Sequence, residues 1–248
     1  MAKRFEDKVA LVSGAGSGIG RAVALRMAQE GAKVLAVDID GARLAETGGM
    51  ASAPIELHTA DLGDPETCRA TVEACVAEFG RLDVLGNIAG ILRTGHFTEM
   101  SVEDYRRVMA VNIDAYFFTA QAAVPHLLET SGNIVNIASN AALQGIPYAA
   151  AYCVSKGGVL QLTRALAVEF LKKPIRINAI APAGTNTNIS AGVGFPADCD
   201  IDLMTRMAGF RGMAEPEEIA AVFAFLASDE CRSVNGAVYT VDNGLTIS

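Results

Sequence analysis

The 248-residue chain predicts an α/β fold: one doubly wound Rossmann-type domain spanning 1–248, with a seven-stranded parallel sheet and helices on both faces. Three observations predict it. Short apolar runs alternate with helical patterns along the whole chain. The apolar runs lack a polar face, and a sheet tolerates that only when helices cover both sides. The first run ends in a glycine-rich turn, "SGAGSGIG", which opens a helix.

The elements follow in order. "KVALVS" (8–13) is a buried strand, and residues 18–30 form a helix with Ile19, Val23 and Met27 on one face. "AKVLAVD" (32–38) is the second strand, a helix lies near 40–48, and "IELHTAD" (55–61) is the third strand. The helix 64–80 starts at Asp64 as N-cap with Pro65 at its first position. "RLDVLGNIAG" is the fourth strand and its turn. Residues 101–129 read as one long helix, opened by Ser101 and Asp104 in a capping-box-like arrangement. "GNIVNIAS" (132–139), a helix over 151–172, "IRINAIA" (175–181), a helix over 215–228 and "AVYTVD" (237–242) complete the alternation. Residues 186–212 fit neither pattern, and a loop that long in a compact domain is usually a lid or binding loop.

Composition excludes several classes. Hydrophobic residues make up 51%, enough for a packed core. The net charge is −8, and no basic run supplies the footprint a nucleic-acid binder needs. No apolar run reaches the roughly 18 residues of a membrane span, and the N-terminal apolar run is too short for a signal peptide. A cytoplasmic location is therefore expected. The five cysteines form no CxxC pair, and His58, His96 and His126 lie far apart, so neither a disulfide framework nor a metal site is expected.

Two motifs carry chemistry. The glycine turn spaces its glycines as Gly14-x-x-x-Gly18-x-Gly20, which permits a tight turn and close approach of a pyrophosphate to a helix N-terminus. The competing reading is a plain glycine-rich turn without a ligand. Asp38 closes the second strand, where a carboxylate can accept hydrogen bonds from both ribose hydroxyls of an adenosine and repels a 2′-phosphate. No Arg or Lys stands at Ala15, Ser17 or Ile39, so the expected cofactor is NAD. The second motif is "AYCVSKGG" (151–158). Tyr152 and Lys156 are four apart and share a helix face. A free phenol titrates near about 10, so working as a base at neutral pH needs a shift of about two to three units, or roughly 3–4 kcal/mol. A neighbouring ammonium favours the phenolate. Tyr148 has no lysine four residues on. Ser139 ends a strand 13 residues before Tyr152, and Asn112 is a polar residue in an apolar helix interior.

Together these residues resemble the short-chain dehydrogenase/reductase family in its single-domain form. The resemblance covers the whole chain and rests on "SGAGSGIG", Asp61-Leu62, "NIAG" (87–90), Asn112, Ser139, "YCVSK", "INAIAPAGTNT" and "VYTVDNG". It implies a catalytic tetrad of Asn112, Ser139, Tyr152 and Lys156. Tyr152 would be the general acid/base and Ser139 would hold the substrate oxygen. Lys156 would bind the nicotinamide ribose and lower the Tyr152 pKa, and Asn112 would hold a water. The resemblance also implies a dinucleotide shell of Gly14, Ser17, Gly18, Ile19, Gly20, Asp38, Asp61, Leu62, Asn87, Ala89, Gly90, Pro182, Thr185 and Thr187, with Tyr152 and Lys156. Ser13, Ile88, Ala183 and Asn243 depart from the family pattern without removing a catalytic group.

The expected reaction is interconversion of a secondary alcohol and a ketone, with a small-molecule substrate and no nucleic-acid or membrane partner. The alternatives are a 3-oxoacyl carrier-protein reductase and a non-catalytic dinucleotide sensor. Pocket walls are expected from Ile91 to His96, Asn140 to Gln144, and Ile189, Phe195, Met204, Met207 and Phe210 of the lid. The resemblance further implies a homo-oligomer, a tetramer, paired through helices 101–129 and 151–172; the apolar stripes of Phe117, Phe118, Leu160 and Leu166 fit such a pairing and fit a buried core as well.

Overall fold

A computed structural model describes residues 3–191, 194–205 and 211–247. Within them the strands form a seven-stranded sheet in the order β3-β2-β1-β4-β5-β6-β7, every pairing parallel. β1 (Val9–Ser13) lies between β2 (Lys33–Asp38) and β4 (Val84–Asn87). From β1 the chain winds first toward β3 (Glu56–Thr59), then back through β4, β5 (Asn133–Ile137), β6 (Arg176–Pro182) and β7 (Val238–Val241). The reversal leaves a crevice beyond the carboxyl ends of β1 and β4, where such sheets bind ligands.

The helices cover both faces, as the apolar strands require. On one side α1 (Gly18–Gln29) packs on α9 (Pro216–Ala227); on the other α3 (Pro65–Phe79) packs on α5 (Ala115–Thr130), with α6 (Ala150–Glu169) against β5 and β6. Successive side chains of a strand point to opposite faces. Ala10 and Val12 of β1 accordingly join one core layer with Met27 and Phe223, while Val9 and Leu11 join the other with Val72, Leu127 and Val159. The helix starts follow the sequence signals. Asp64 accepts a hydrogen bond from Thr67 N at 2.9 Å ahead of Pro65, and Ser101 accepts one from Asp104 N at 2.9 Å at the start of α4 (Val102–Met109).

Three features depart from the sequence reading. The edge strands β3 and β7 are not buried on both faces; each carries partly or fully exposed side chains along its length. An edge strand has one strand neighbour and thinner helix cover, and "ELHT" is correspondingly polar. The helix expected over 101–129 is broken: a π-turn spans Ala110–Asp114 between α4 and α5, and Ala115 N donates to Ala110 O, five residues back. Finally, of the two readings of the helix stripes the buried one holds for Leu160, which is buried, and for Phe118 and Leu166, which pack against one core layer. Phe117, Val154 and Val168 are the large hydrophobic residues of α5 and α6 left exposed, at 45%, 55% and 72%.

The described part of 186–212 holds two short helices, α7 (Asn188–Ala191) and α8 (Ile201–Thr205). It is joined to the body where Thr185 bridges Ala214. Met207 and Phe210 lie outside the described residues. No helix among the described residues is long and apolar enough to cross a membrane.

Candidate active site

The parallel sheet brings Gly14, Asp38, Asn87–Gly90, Ser139 and Pro182 to one edge, because each lies at or just past the carboxyl end of its strand. Gly14 adopts φ +68°, a left-handed conformation that costs a side-chain-bearing residue about 1–2 kcal/mol. A Cβ there would also stand 2.9 Å from Ala89 Cα, so the turns after β1 and β4 approach too closely for any side chain. Ser13 ties these turns together: its Oγ accepts from Ile88 N at 2.8 Å and Ala89 N at 3.1 Å.

The turn fits a pyrophosphate. The first-turn amides of α1 have no side-chain cap, since Ser17 makes no capping bond, and no acidic residue occupies that turn. Unpaired amides and the positive end of the helix dipole together favour an anion. Thr187 closes over the turn, where a Cβ on Gly18 would meet its Cγ2 at 2.9 Å.

Asp38 closes β2 and accepts from Gly16 N at 2.8 Å and Asp40 N at 2.9 Å. Each carboxylate oxygen has a second lone-pair direction, so both remain able to accept from a ribose. Arg43 stands beside this corner, 3.2 Å through its Cβ from a Cβ on Gly16, and pairs with Asp40 at 3.4 Å. The sequence comparison of positions 15, 17 and 39 missed this guanidinium, because it arrives from the next helix.

Asp61 is held by Arg107 from α4 at 3.0 Å and by Gly63 N at 2.9 Å. Burial pushes its carboxyl up, but the guanidinium and the amide outweigh this and hold it below the ordinary range. Leu62 is buried in the core. Asn87 turns inward: Nδ2 donates to Asn136 Oδ1 at 3.0 Å and Oδ1 accepts from Thr119 Oγ1 at 2.8 Å. Only its backbone faces the crevice. Thr185 is buried and donates to Ala183 O at 3.1 Å.

The tetrad residues converge beyond β5. Ser139 caps a short turn: its Oγ accepts from Ala141 N at 3.1 Å and donates to Asn140 Oδ1 at 3.1 Å. The Tyr152 phenol is pushed up by burial and drawn partly back by a hydrogen bond with Ser139. Lys156 is buried, and desolvation lowers its ammonium to about 7. Its Nζ donates to Ile137 O at 2.8 Å and Tyr116 Oη at 3.3 Å, and lies 5.9 Å from the centroid of the Tyr152 ring. The expected depression of the phenol by the ammonium is therefore not present in the protein alone. Burial acts on both groups against their charged forms.

Asn112 explains the π-turn. Its Oδ1 accepts from Ile91 N at 2.8 Å, while Nδ2 donates to Ile91 O at 2.9 Å and Ser155 Oγ at 3.1 Å. One buried amide thereby joins the turn after β4 to α6. The helix makes its π-turn around the residue that reaches out, as π-bulges often do at functional sites.

Tyr116 and Ser155 were missed in the sequence, and Asn140 was read there only as pocket wall, not as the acceptor of the Ser139 hydroxyl. Tyr116 follows Asn112 by four residues, a spacing that could have flagged it.

The outer wall is joined to the 186–212 segment by side chains. His96 Nε2 meets Asp198 Oδ1 at 2.9 Å, Thr94 Oγ1 donates to Gly194 O at 3.0 Å, and Tyr148 Oη accepts from Asp200 N at 2.8 Å. Among the described residues no cluster of His, Cys, Asp and Glu could hold a metal. Burial pushes the thiols of Cys68 and Cys75 up to about 12, which leaves them inert.

Known proteins resemble this chain along nearly their whole length. A family model described as enoyl-(acyl carrier protein) reductase matches residues 14–246. A meso-2,3-butanediol dehydrogenase of Serratia marcescens is 40% identical over 250 residues, covering 99% of this chain and 97% of that protein. A 3-oxoacyl-[acyl-carrier-protein] reductase of Thermotoga maritima is 37% identical over 249 residues, covering 98% and 100%. The crystal structure of a short-chain dehydrogenase from Mycobacterium paratuberculosis bound to NAD superposes with a TM-score of 0.91 at 34% identity, covering 99% and 100%. The chain belongs to the short-chain dehydrogenase/reductase family and is an oxidoreductase acting on CH–OH groups.

Proposed function

We propose that the protein is an NAD-dependent oxidoreductase that interconverts a small secondary alcohol and a ketone, with Tyr152 as general acid/base. The observation that carries this reading is the convergence of Ser139, Tyr152, Lys156 and Asn112 beside the uncapped N-terminus of α1. When bound, the nicotinamide supplies the hydride acceptor and a further positive charge.

In the oxidation direction Tyr152 Oη takes the hydroxyl proton of the alcohol while Ser139 Oγ holds the same oxygen. Ala141 N fixes the Ser139 oxygen at the site, and its hydroxyl turns from Asn140 Oδ1 to the substrate oxygen to make that contact. Lys156 uses two ammonium protons on Ile137 O and Tyr116, leaving a third for a ribose hydroxyl. Asn112 fixes the turn at Ile91 against α6 and so sets the depth of the pocket. Segment 186–212 serves as the lid, with Ile189, Phe195 and Met204 supplying apolar surface.

Asp38 supports NAD, since a 2′-phosphate there would lie against a carboxylate. Arg43 and Arg21 are nearby cations that could oppose this, and each is paired with a carboxylate, Asp40 and Glu46. The net charge of −8 disfavours docking of an acidic carrier protein.

The test is dinucleotide reduction with meso-2,3-butanediol, cyclic alcohols and 3-hydroxyacyl thioesters, each with NAD and NADP, on the native protein and Tyr152→Phe. Losing the general base should lower kcat by about 10³-fold, within the usual range for such groups, while NADH still binds. Retained turnover in Tyr152→Phe moves the acid/base role elsewhere. Preference for NADP overturns the cofactor assignment, and activity confined to acyl thioesters favours the carrier-protein reductase reading.

A further inference from the structure

We propose that Tyr116 is a positioning residue that seats the Lys156 ammonium and sets where the Tyr152 phenol ionises; this rests on the acid/base role given to Tyr152. Tyr116 is fully buried in α5, a poor place for a phenol without a partner. Its hydroxyl donates to Ile137 O at 3.2 Å and accepts from Lys156 Nζ at 3.3 Å. Lys156 Nζ donates to the same carbonyl at 2.8 Å, which closes a three-membered polar ring. The ammonium also lies 5.0 Å from the Tyr116 ring centroid, within cation–π range.

This seat is crowded on its open side. A Cβ on Gly90 would stand 3.5 Å from Lys156 Nζ and 3.4 Å from Asn112 Oδ1. The titratable groups facing the ammonium are Tyr116 from α5 and Tyr152 from its own helix, with Cys153 beside the phenol. β5 contributes the Ile137 carbonyl, and the turns after β4 and α4 contribute only the uncharged Gly90 and Asn112. Among the described residues no carboxylate faces Lys156, so its charged form depends on two oxygens, and Tyr116 supplies one of them.

The consequence for Tyr152 follows from coupling. Desolvation already brings the lysine to about 7, close to the pH at which the phenolate is wanted. In the NAD-bound protein the two groups then share one proton between two arrangements, neutral phenol with neutral amine or phenolate with ammonium. A hydrogen-bond acceptor on the ammonium favours the second. Removing the Tyr116 hydroxyl shifts the balance to the first and delays the phenolate.

The chain has five tyrosines and no tryptophan, so phenolate absorbance near 295 nm can be followed directly. With NAD bound, the native protein minus Tyr152→Phe gives the Tyr152 titration. Tyr116→Phe minus the Tyr116→Phe/Tyr152→Phe double variant gives the same titration without the hydroxyl but with the ring kept. The expected result is a Tyr152 midpoint about half a unit to one unit higher in the Tyr116→Phe background, the size of one hydrogen bond to a charged group spread over a coupled pair. The alkaline shift should recur in the pH profile of alcohol oxidation. Equal midpoints in the two backgrounds overturn the proposal, even if Tyr116→Phe lowers the Tm, because a purely structural role moves stability and not the titration. So does absence of a Tyr152 phenolate below about pH 10 in either background. Turnover retained in Tyr152→Phe instead overturns the parent reading, which separates the two failures.

Discussion

The two walls of the crevice are built from different parts of the polypeptide. The dinucleotide wall is largely backbone: the glycine turn, the turn after β4 and the free amides of α1, all fixed by strands buried on both faces. The outer wall is side chain: three contacts from Thr94, His96 and Tyr148 hold the 186–212 segment, and their partners are mostly exposed. A backbone wall suits a ligand that never changes, because altering it means moving a strand. A side-chain wall can be changed one residue at a time, and in the proposed function it faces the part of the reaction that differs between a butanediol dehydrogenase and a carrier-protein reductase.

The sharpest way to break this contrast is to place a side chain on the backbone wall. Gly14→Ala adds a Cβ at 2.9 Å from Ala89 Cα in a left-handed conformation, and both atoms belong to strand ends that cannot retreat. We expect a loss of about 3 kcal/mol and a fall in Tm of about 8 °C, with NADH binding lost in the same variant. Calorimetry with and without NADH checks it. A variant that melts as the native protein and binds NADH normally would show that the wall yields and is not rigid.

Asp38 is the exception on that wall, a side chain that reads the ligand. Asp38→Asn keeps an acceptor for only one of the Gly16 and Asp40 amides and removes the charge. The ratio of NAD to NADP affinity should fall about tenfold, the worth of one charge-assisted hydrogen bond. Arg43 would then face the ribose position with less opposition. An unchanged ratio in isothermal titration would transfer selectivity from Asp38 to its neighbours.

The same contrast explains what could be read from the sequence. The succession of strands and helices along the chain, the glycine turn and the Tyr152–Lys156 face were legible, because each depends on local spacing: period, turn residues and i,i+4 geometry. The π-turn at Asn112 was not, since nothing local distinguishes it from a straight helix; contacts with Ile91 and Ser155, far away in sequence, accompany it. Arg107 on Asp61 and Arg43 beside Asp38 were hidden for the same reason. The inward turn of Asn87 depends on Asn136 and Thr119, which only strand pairing and helix packing bring near. The substrate was least legible of all, because the wall that chooses it is made of long-range side-chain pairs.

The smallest expected effect tests the outer wall alone. His96 is raised above its ordinary value near 6.5, chiefly by its hydrogen bond with Asp198, with Glu99 adding to the attraction and desolvation opposing it; Tyr148 packs edge-on against the ring. A group whose pKa is raised on closure stabilises the closed state fully below its ordinary value and loses that contribution as pH rises through the raised one. The lid contact should therefore be strongest in mildly acid solution and fade with increasing pH. Both partners are solvent-exposed, so the change in KM for the alcohol across that window should be no more than about fivefold. In His96→Gln the neutral side chain cannot follow pH, and the same window should be flat, with kcat and NADH affinity unchanged. If the native and His96→Gln profiles rise together, the pH dependence belongs to Tyr152 and Lys156, and the two walls are coupled where their construction says they are separate.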